Sequence, residues 1–272
     1  MRPRGALTSL GAAAAGAAGW GWFEAGWVRL RTLDAPVRGL PTELEGLRIV
    51  HLSDFHLGVP SRSLRAIERG VEWARERDPD LVAITGDLLS RPSGEARLRS
   101  LVAGLPRCYA VLGNHDYADS RDPFSKFAAL TELEPATLLR DESRIVELRG
   151  QRVQVAGVDP LTYRQGQALP ERLADRDTDF RILLCHYPSV VDKLTPGAFH
   201  LVLAGHLHSG QIAFPYGSGK LRLSQVRWTY VEGLYQRPAA TLHVSPGLGT
   251  TFVPFRFFAR PEATELLLRP ER

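Results

Sequence analysis

Short apolar runs, each followed at once by a polar cluster, set the rhythm of this chain. Leu47–Ser53, Leu81–Thr85, Cys108–Leu112, Phe180–Leu184 and Phe199–Ala204 are five to seven residues long and mainly apolar. Runs of that length predict strands buried on both faces. Between the first two the period changes. Leu64, Ile67, Val71 and Ala74 predict a helix over 62–77, stopped by Asp78-Pro79-Asp80. Leu98–Leu105 predicts a second, and Phe124–Leu133 a third that opens just after Pro123. Further on, Arg144–Leu148 and Arg152–Val155 flank Gly150 as a hairpin. Helical pieces follow at 169–174 and 190–194, then strands at 211–214, 221–223, 229–231, 241–244 and 265–268. Alternating strands and helices followed by hairpins predict an α/β fold, two mixed sheets packed together with helices outside.

The polar clusters at the strand ends are Asp54-Phe-His56, Gly86-Asp87, Gly113-Asn114-His115-Asp116, Cys185-His186 and Gly205-His206-Leu-His208. Five of the eight histidines fall in them, so they are not scattered by chance. Strand ends of an open α/β sheet share one edge, where ligands bind. The donors there are Asp, His and Asn without a Cys ligand, a set that suits hard to borderline divalent cations. Two metal ions are expected. Cys108 and Cys185 lie in predicted interior strands and read as small hydrophobes. His51, His200 and His243 read as strand residues with satisfied hydrogen bonds.

Composition narrows the function. The 272 residues are 44% hydrophobic, enough for a sizeable core. Net charge is only +4, and no run of five basic residues occurs, so a nucleic-acid track is not expected. The N-terminus is different in kind. Gly5 to Phe23 carries no charge and is rich in Ala and Gly, with Trp20, Trp22 and Trp27 gathered at one end like an interfacial belt. Its length is near the lower limit for spanning a bilayer. The expected organisation is an apolar leader over 1–28, acting as membrane anchor or export signal, a Pro-containing connector over 29–45, and a catalytic domain over 46–272. The leader implies a protein held at the inner membrane or exported.

Together, Asp54-x-His56, Gly86-Asp87, Gly113-Asn114-His115-Asp116, His186 and Gly205-His206-x-His208 resemble the calcineurin-like metallophosphoesterase superfamily over residues 46–268. The resemblance implies an αββα sandwich and a two-metal hydrolase of phosphoric esters. It implies that Asp54, His56, Asp87 and His208 hold one metal and Asp87, Asn114, His186 and His206 the other, with Asp87 as the bridge. Manganese is expected first, with iron, zinc or magnesium as alternatives. His115 is implied as the group that contacts phosphate and protonates the leaving oxygen, with Asp116 orienting its ring.

The last third narrows the resemblance. Gly205-His206-Leu207-His208-Ser209-Gly210-Gln211, Gly233-Leu234-Tyr235 and Ser245-Pro-Gly247-Leu-Gly249-Thr250-Thr251 resemble a bacterial branch of membrane-associated or exported metallophosphodiesterases. Its members include enzymes that cleave UDP-diacylglucosamine in lipid A synthesis. Leu207 stands where Thr is common in that branch, and Ser209 where Gly is. Aromatics (Phe214, Tyr216, Trp228, Tyr230, Tyr235) alternate with Lys220, Arg222 and Arg227, and Phe252, Phe255, Phe257 and Phe258 accompany Arg256 and Arg260. They are expected either to rim the site or to pack as half-buried strands. The expected substrate is a phosphodiester or pyrophosphate that is lipid-linked or belongs to the cell envelope. A nuclease or nucleotide phosphodiesterase of the same fold is the alternative, ahead of a catalytically silent binding module.

Overall fold

The computed structural model describes residues 4–217, 219–223 and 228–271, with residues 4–10 as backbone only. Arg227 lies outside the described residues. Helix α1 (Arg4–Ala25) leads into β1 (Arg29–Val37), β2 (Arg48–Leu52), α2 (Ser63–Glu76), β3 (Leu81–Thr85), α3 (Glu95–Val102), β4 (Cys108–Val111) and β5 (Thr137–Leu138). The second half holds β6 (Glu142–Leu148), β7 (Gln151–Val158), α4 (Pro160–Arg164), β8 (Phe180–Cys185), β9 (Leu201–Ala204), β10 (Ala213–Tyr216), β11 (Gly219–Arg222), β12 (Gly233–Gln236), β13 (Thr241–Val244) and β14 (Glu262–Pro270). Among the described residues two six-stranded sheets form, in the orders β1-β14-β2-β3-β4-β5 and β12-β13-β9-β8-β7-β6. In the first, β2, β3, β4 and β5 run parallel and β14 is antiparallel to β2; in the second, β13, β9, β8 and β7 run parallel and β6 closes an antiparallel hairpin. Both sheets are mixed, as expected.

Burial follows the two-residue alternation of each strand. Ile49, Leu81, Val111, Phe180, Ile182 and Leu203 fill the space between the sheets. Their neighbours Val50, Val82 and Ile84 face outward onto Ile67 and Val71 of α2 and Leu98 of α3. On the far side Leu183, Val202 and Leu242 pack with Val190 and Phe199. The result is an αββα sandwich. Glu265 in β14 ties three elements together from a fully buried position. It accepts hydrogen bonds from Arg48 at 2.7 Å, from Arg77 just beyond α2 at 2.7 Å, and from Thr32 of β1 at 2.9 Å.

Several expectations need correction. The stretch 29–45 is no mere connector, because Arg29–Val37 is an edge strand paired in parallel with β14 from Arg29↔Glu262 to Val37↔Pro270. Pro36 obscured it, yet an edge strand tolerates a missing N–H. Residues 124–133 do not form a helix. Lys126 N–H donates to Ser90 and Ala128 N–H to Asp116, so the backbone donors are spent on neighbouring loops. The pieces at 170–173 and 188–193 are 3₁₀ turns. The strand expected at 229–231 is replaced by β12.

The leader is helical, but among the described residues no helix is long and apolar enough to cross a membrane. Its many Ala and Gly residues contribute little transfer free energy. Residues 11–20 stand exposed, whereas the last turn is docked. There Glu24 accepts from Ala259 N–H at 2.7 Å and Gly21 C=O accepts from Arg256 N–H at 3.0 Å.

Candidate metal centre

Every parallel strand that ends near the sandwich midline delivers donors to one point. Asp54 and His56 follow β2, Asp87 follows β3, and Asn114 and His115 follow β4; from the second sheet, His186 follows β8 and His206 and His208 follow β9. Ligand atoms of Asp54, His56, Asp87 and His208 all lie within 4.8 Å of one another, and so do those of Asp87, His186 and His206. Asp87 belongs to both groups. Asn114 adds its side-chain oxygen, 3.1 Å from His186 Nε2.

Turns this tight require unusual backbone. Asp54, His56, Asp87, His206 and His208 all have φ between 47° and 80°, a left-handed region that costs side-chain-bearing residues roughly 1–3 kcal/mol each. Neighbouring hydrogen bonds hold them there. Asp54 N–H donates to Gly86 at 3.0 Å, His56 N–H to Asp87 C=O at 2.9 Å, and His206 N–H to the Asp54 carboxylate at 3.1 Å. Glycine is needed where ligands crowd the backbone. A β-carbon on Gly205 would overlap Ser53 Oγ and Asp54 Oδ2. Ser209, where the branch pattern has Gly, also adopts a positive φ of 56°.

The electrostatics ask for cations. Burial pushes Asp54 up to about 7, with His186 pulling the other way. Burial also opposes the charged form of Asp87, yet His186 and His115 hold its carboxyl well below the usual range. Burial, then His115, lowers His56 to about 3; burial, then His186, lowers His206 to about 3; burial, then His56, holds His208 well below its ordinary value. His186 is the exception: burial opposes its proton, but Asp87 prevails and raises it to about 9. Ring nitrogens of His56 and His208 approach to 3.1 Å, and those of His206 and His186 to 3.0 Å. One proton serves such a pair, so unshared lone pairs converge beside two buried carboxylates. His186 Nδ1 donates to Thr85 C=O at 2.9 Å, which leaves Nε2 facing the centre. Neutral imidazoles at His56, His206 and His208, an amide oxygen and carboxylates are what a divalent cation of borderline hardness takes, and the residues fit one, with the His186 proton displaced on binding.

His115 lies beside this set, its ring edge-on to His56 with centroids 4.6 Å apart. Asp116 does not orient it. The Asp116 carboxylate accepts from the backbone N–H groups of Gly113 at 2.8 Å, Leu89 at 2.7 Å and Leu88 at 3.2 Å, so it shapes the loops. The carboxylate facing His115 is that of Asp122, and Thr251 stands beside both. Thr251 closes the Ser245–Thr251 motif, but no role was read for it there, and no short motif marks Asp122.

Of the donors, Asp87, Asn114, His206 and His208 form the floor of a cavity of about 920 Å³, near the upper end for ligand pockets. Arg121 and Arg164 line it, and so do the apolar Ile212, Leu223, Trp228, Phe252 and Val253. Of the remaining aromatics, Tyr230 is buried under the second sheet and Tyr235 packs beside it, while Phe214 and Tyr216 are exposed on the β10–β11 hairpin. Arg256 does not reach the cavity. It is fully buried, donating to the carbonyls of Pro246, Gly247, Gly249 and Ala259, and burial lowers it to about 10.

A sandwich of this layering, with N and O donors converging at its strand ends, is that of a metal-dependent phosphoester hydrolase. The sequence profile described as calcineurin-like phosphoesterase matches residues 47–210, and the chain belongs to that family. The metallophosphoesterase YkuE of Bacillus subtilis is 30% identical over 275 residues, covering 95% of this chain and 94% of its own. A Bos taurus protein named transmembrane protein with metallophosphoesterase domain is 32% identical, covering 88% of this chain and 56% of its own. Among solved structures, the NAD nucleotidase of Haemophilus influenzae matches 74% of this chain and 50% of its own, at 14% identity and a TM-score of 0.49.

Proposed function

We propose that Asp54, His56, Asp87 and His208 hold one divalent cation and Asp87, Asn114, His186 and His206 a second. The enzyme then hydrolyses a phosphodiester or pyrophosphate bond in a lipid-linked or cell-envelope substrate, with UDP-diacylglucosamine as the representative. The observation that carries this reading is the mixed lining of the cavity: the polar donors with Arg121 and Arg164, together with the apolar Ile212, Leu223, Trp228, Phe252 and Val253. That mixture suits a molecule with a charged phosphate end and an apolar remainder. The similarity to relatives named for a transmembrane segment agrees with a membrane-associated enzyme. So does the exposed, charge-free stretch of α1.

Divalent cations bound there, manganese first, supply Lewis-acid polarisation of the phosphoryl group and activation of water. The residues do the rest. Two divalent charges against the carboxylates of Asp54 and Asp87 leave the floor positive, which favours an anionic substrate. Arg121, which lines the cavity, adds to that field, while Arg164 is neutralised by its pairing with Asp119. His115, beside the floor, is placed to contact a phosphoryl oxygen and to deliver a proton to the leaving oxygen. Asp122 takes the supporting role expected of Asp116.

Parallel assays on UDP-diacylglucosamine and on a soluble aryl phosphodiester test the reading. It expects the lipid-linked compound to have the higher kcat/KM. A preference for the soluble diester, with no lipid accumulating when the gene is removed, would overturn the lipid-linked assignment and leave the metal chemistry standing.

A further inference from the structure

We propose that the face around the cavity mouth is a membrane-docking surface, which seats the body of the enzyme on an anionic bilayer so that the cavity opens towards the lipid. The proposal rests on the membrane-associated reading above and adds the orientation of the catalytic body.

Exposed apolar residues are not spread evenly. Among the described residues 17 large hydrophobic side chains are exposed, and 12 of them sit in three segments: the end of α1, the 252–258 loop, and the β10–β11 hairpin with Trp228 beyond it. These segments adjoin. The Trp22 ring lies 6.4 Å from that of Phe255, and Phe214 lies 6.3 Å from Phe258. Phe252, Val253, Leu223 and Trp228 continue the patch to the cavity wall. Among the described residues, apolar side chains thus extend from α1 through the 252–258 loop to the lining of the cavity. A soluble surface rarely gathers so much apolar area without a partner.

Charge identifies the partner. Trp20, Phe23 and Trp27 form an aromatic trio, with ring centroids 5.6–6.4 Å apart. The Arg260 guanidinium stacks 3.7 Å over Trp27, and that of Arg62 stands 5.8 Å over Phe23. Lys220 and Arg222 of β11 are paired with Glu232, so Arg62 and Arg260 are the cations beside these rings. The acidic residues in these segments are Glu24 and Glu232, and both are engaged. Glu24 accepts from Ala259 N–H and Trp20 Nε1, while Glu232 holds Lys220, Arg222 and Ser209. Amphipathic rings interleaved with cations match the headgroup layer of an anionic membrane. A protein partner on the same face would cap the cavity. A fluid bilayer covers the patch and still delivers a substrate to the floor.

Cys108 and Cys185 are buried, so one introduced cysteine takes a single label. The test places a polarity-sensitive dye on Tyr216→Cys at the hairpin, or on Ile145→Cys in β6 at the far edge of the second sheet. The full chain is then mixed with equimolar phosphatidylcholine–phosphatidylglycerol vesicles. The proposal expects an apolar shift at 216, none at 145, and less of either with pure phosphatidylcholine. It also expects Trp27→Ser to weaken vesicle binding on the order of tenfold, the loss of one well-buried apolar side chain, with hydrolysis of a soluble diester unchanged. Cosedimentation with neither label shifting would overturn the docking face while membrane association by α1 stood. No cosedimentation with either vesicle would overturn both.

Discussion

The Nδ1 atom of His115 lies 3.9 Å from the Asp122 carboxylate and has no hydrogen-bond partner among the described residues, while Thr251 Oγ1 bonds that carboxylate at 2.8 Å and stands 3.5 Å from His115 Nε2. Asp122 also accepts from Phe252 N–H at 3.0 Å, so it is fixed from the side of the cavity wall. A buried carboxylate held this way sets the field and the orientation of the neighbouring imidazole without touching substrate.

Asp122→Asn should therefore act through His115. The expected loss is about tenfold or more in kcat on diesters with poor alkyl leaving groups, and much less on p-nitrophenyl esters, whose leaving group needs no proton. A kcat series over leaving groups checks this. An equal loss across the series would mean that Asp122 is only structural.

Metal content separates the floor from its neighbour. Asp87→Asn weakens the carboxylate common to both donor groups and should lower metal occupancy and turnover together. His115→Ala should keep the metal and lose on the order of 10²–10⁴ in rate, the usual contribution of general acid catalysis. Elemental analysis of both purified variants is the measurement. Metal loss in His115→Ala would remove His115 from its assigned role.

Glu265 gives the fold a pH signature. Burial opposes its charge, but hydrogen bonds from Arg77, Arg48 and Thr32 hold its carboxyl below the usual range. A depressed folded value adds stability above the unfolded carboxyl pKa of about 4.3, and that stability is lost as pH falls through the folded value. Glu265→Gln should cost about 1–3 kcal/mol at neutral pH, since its arginine partners are half exposed. The gap from the parent should narrow as pH falls below the unfolded carboxyl value of about 4.3. Urea melts at both pH values test it.

How much of this was legible in the sequence depends on whether the signal was local. The strands before Asp54, Asp87, Asn114, His186 and His206 are buried on both faces, so their apolar runs announced them and placed the polar clusters at their ends. β1 was hidden because only Ala35 and Val37 are fully buried in it. Asp122 shows a local signal misread at longer range. Its side chain does cap Phe124 N–H at 2.9 Å, as a helix start would, but the following donors bond elsewhere and no helix propagates. Whether Arg256 rims the site or packs inside stayed open, because nothing in one dimension reveals that four carbonyls surround it.

The most direct test of the account is exhaustive chelation followed by metal add-back, with hydrolysis of a soluble diester and bound metal followed together. Because every donor at the floor is N or O, removal should abolish hydrolysis, and Mn²⁺ should restore it at least as well as Mg²⁺, with two equivalents bound per chain. Full activity in protein verified to be free of metal would contradict the two-metal centre.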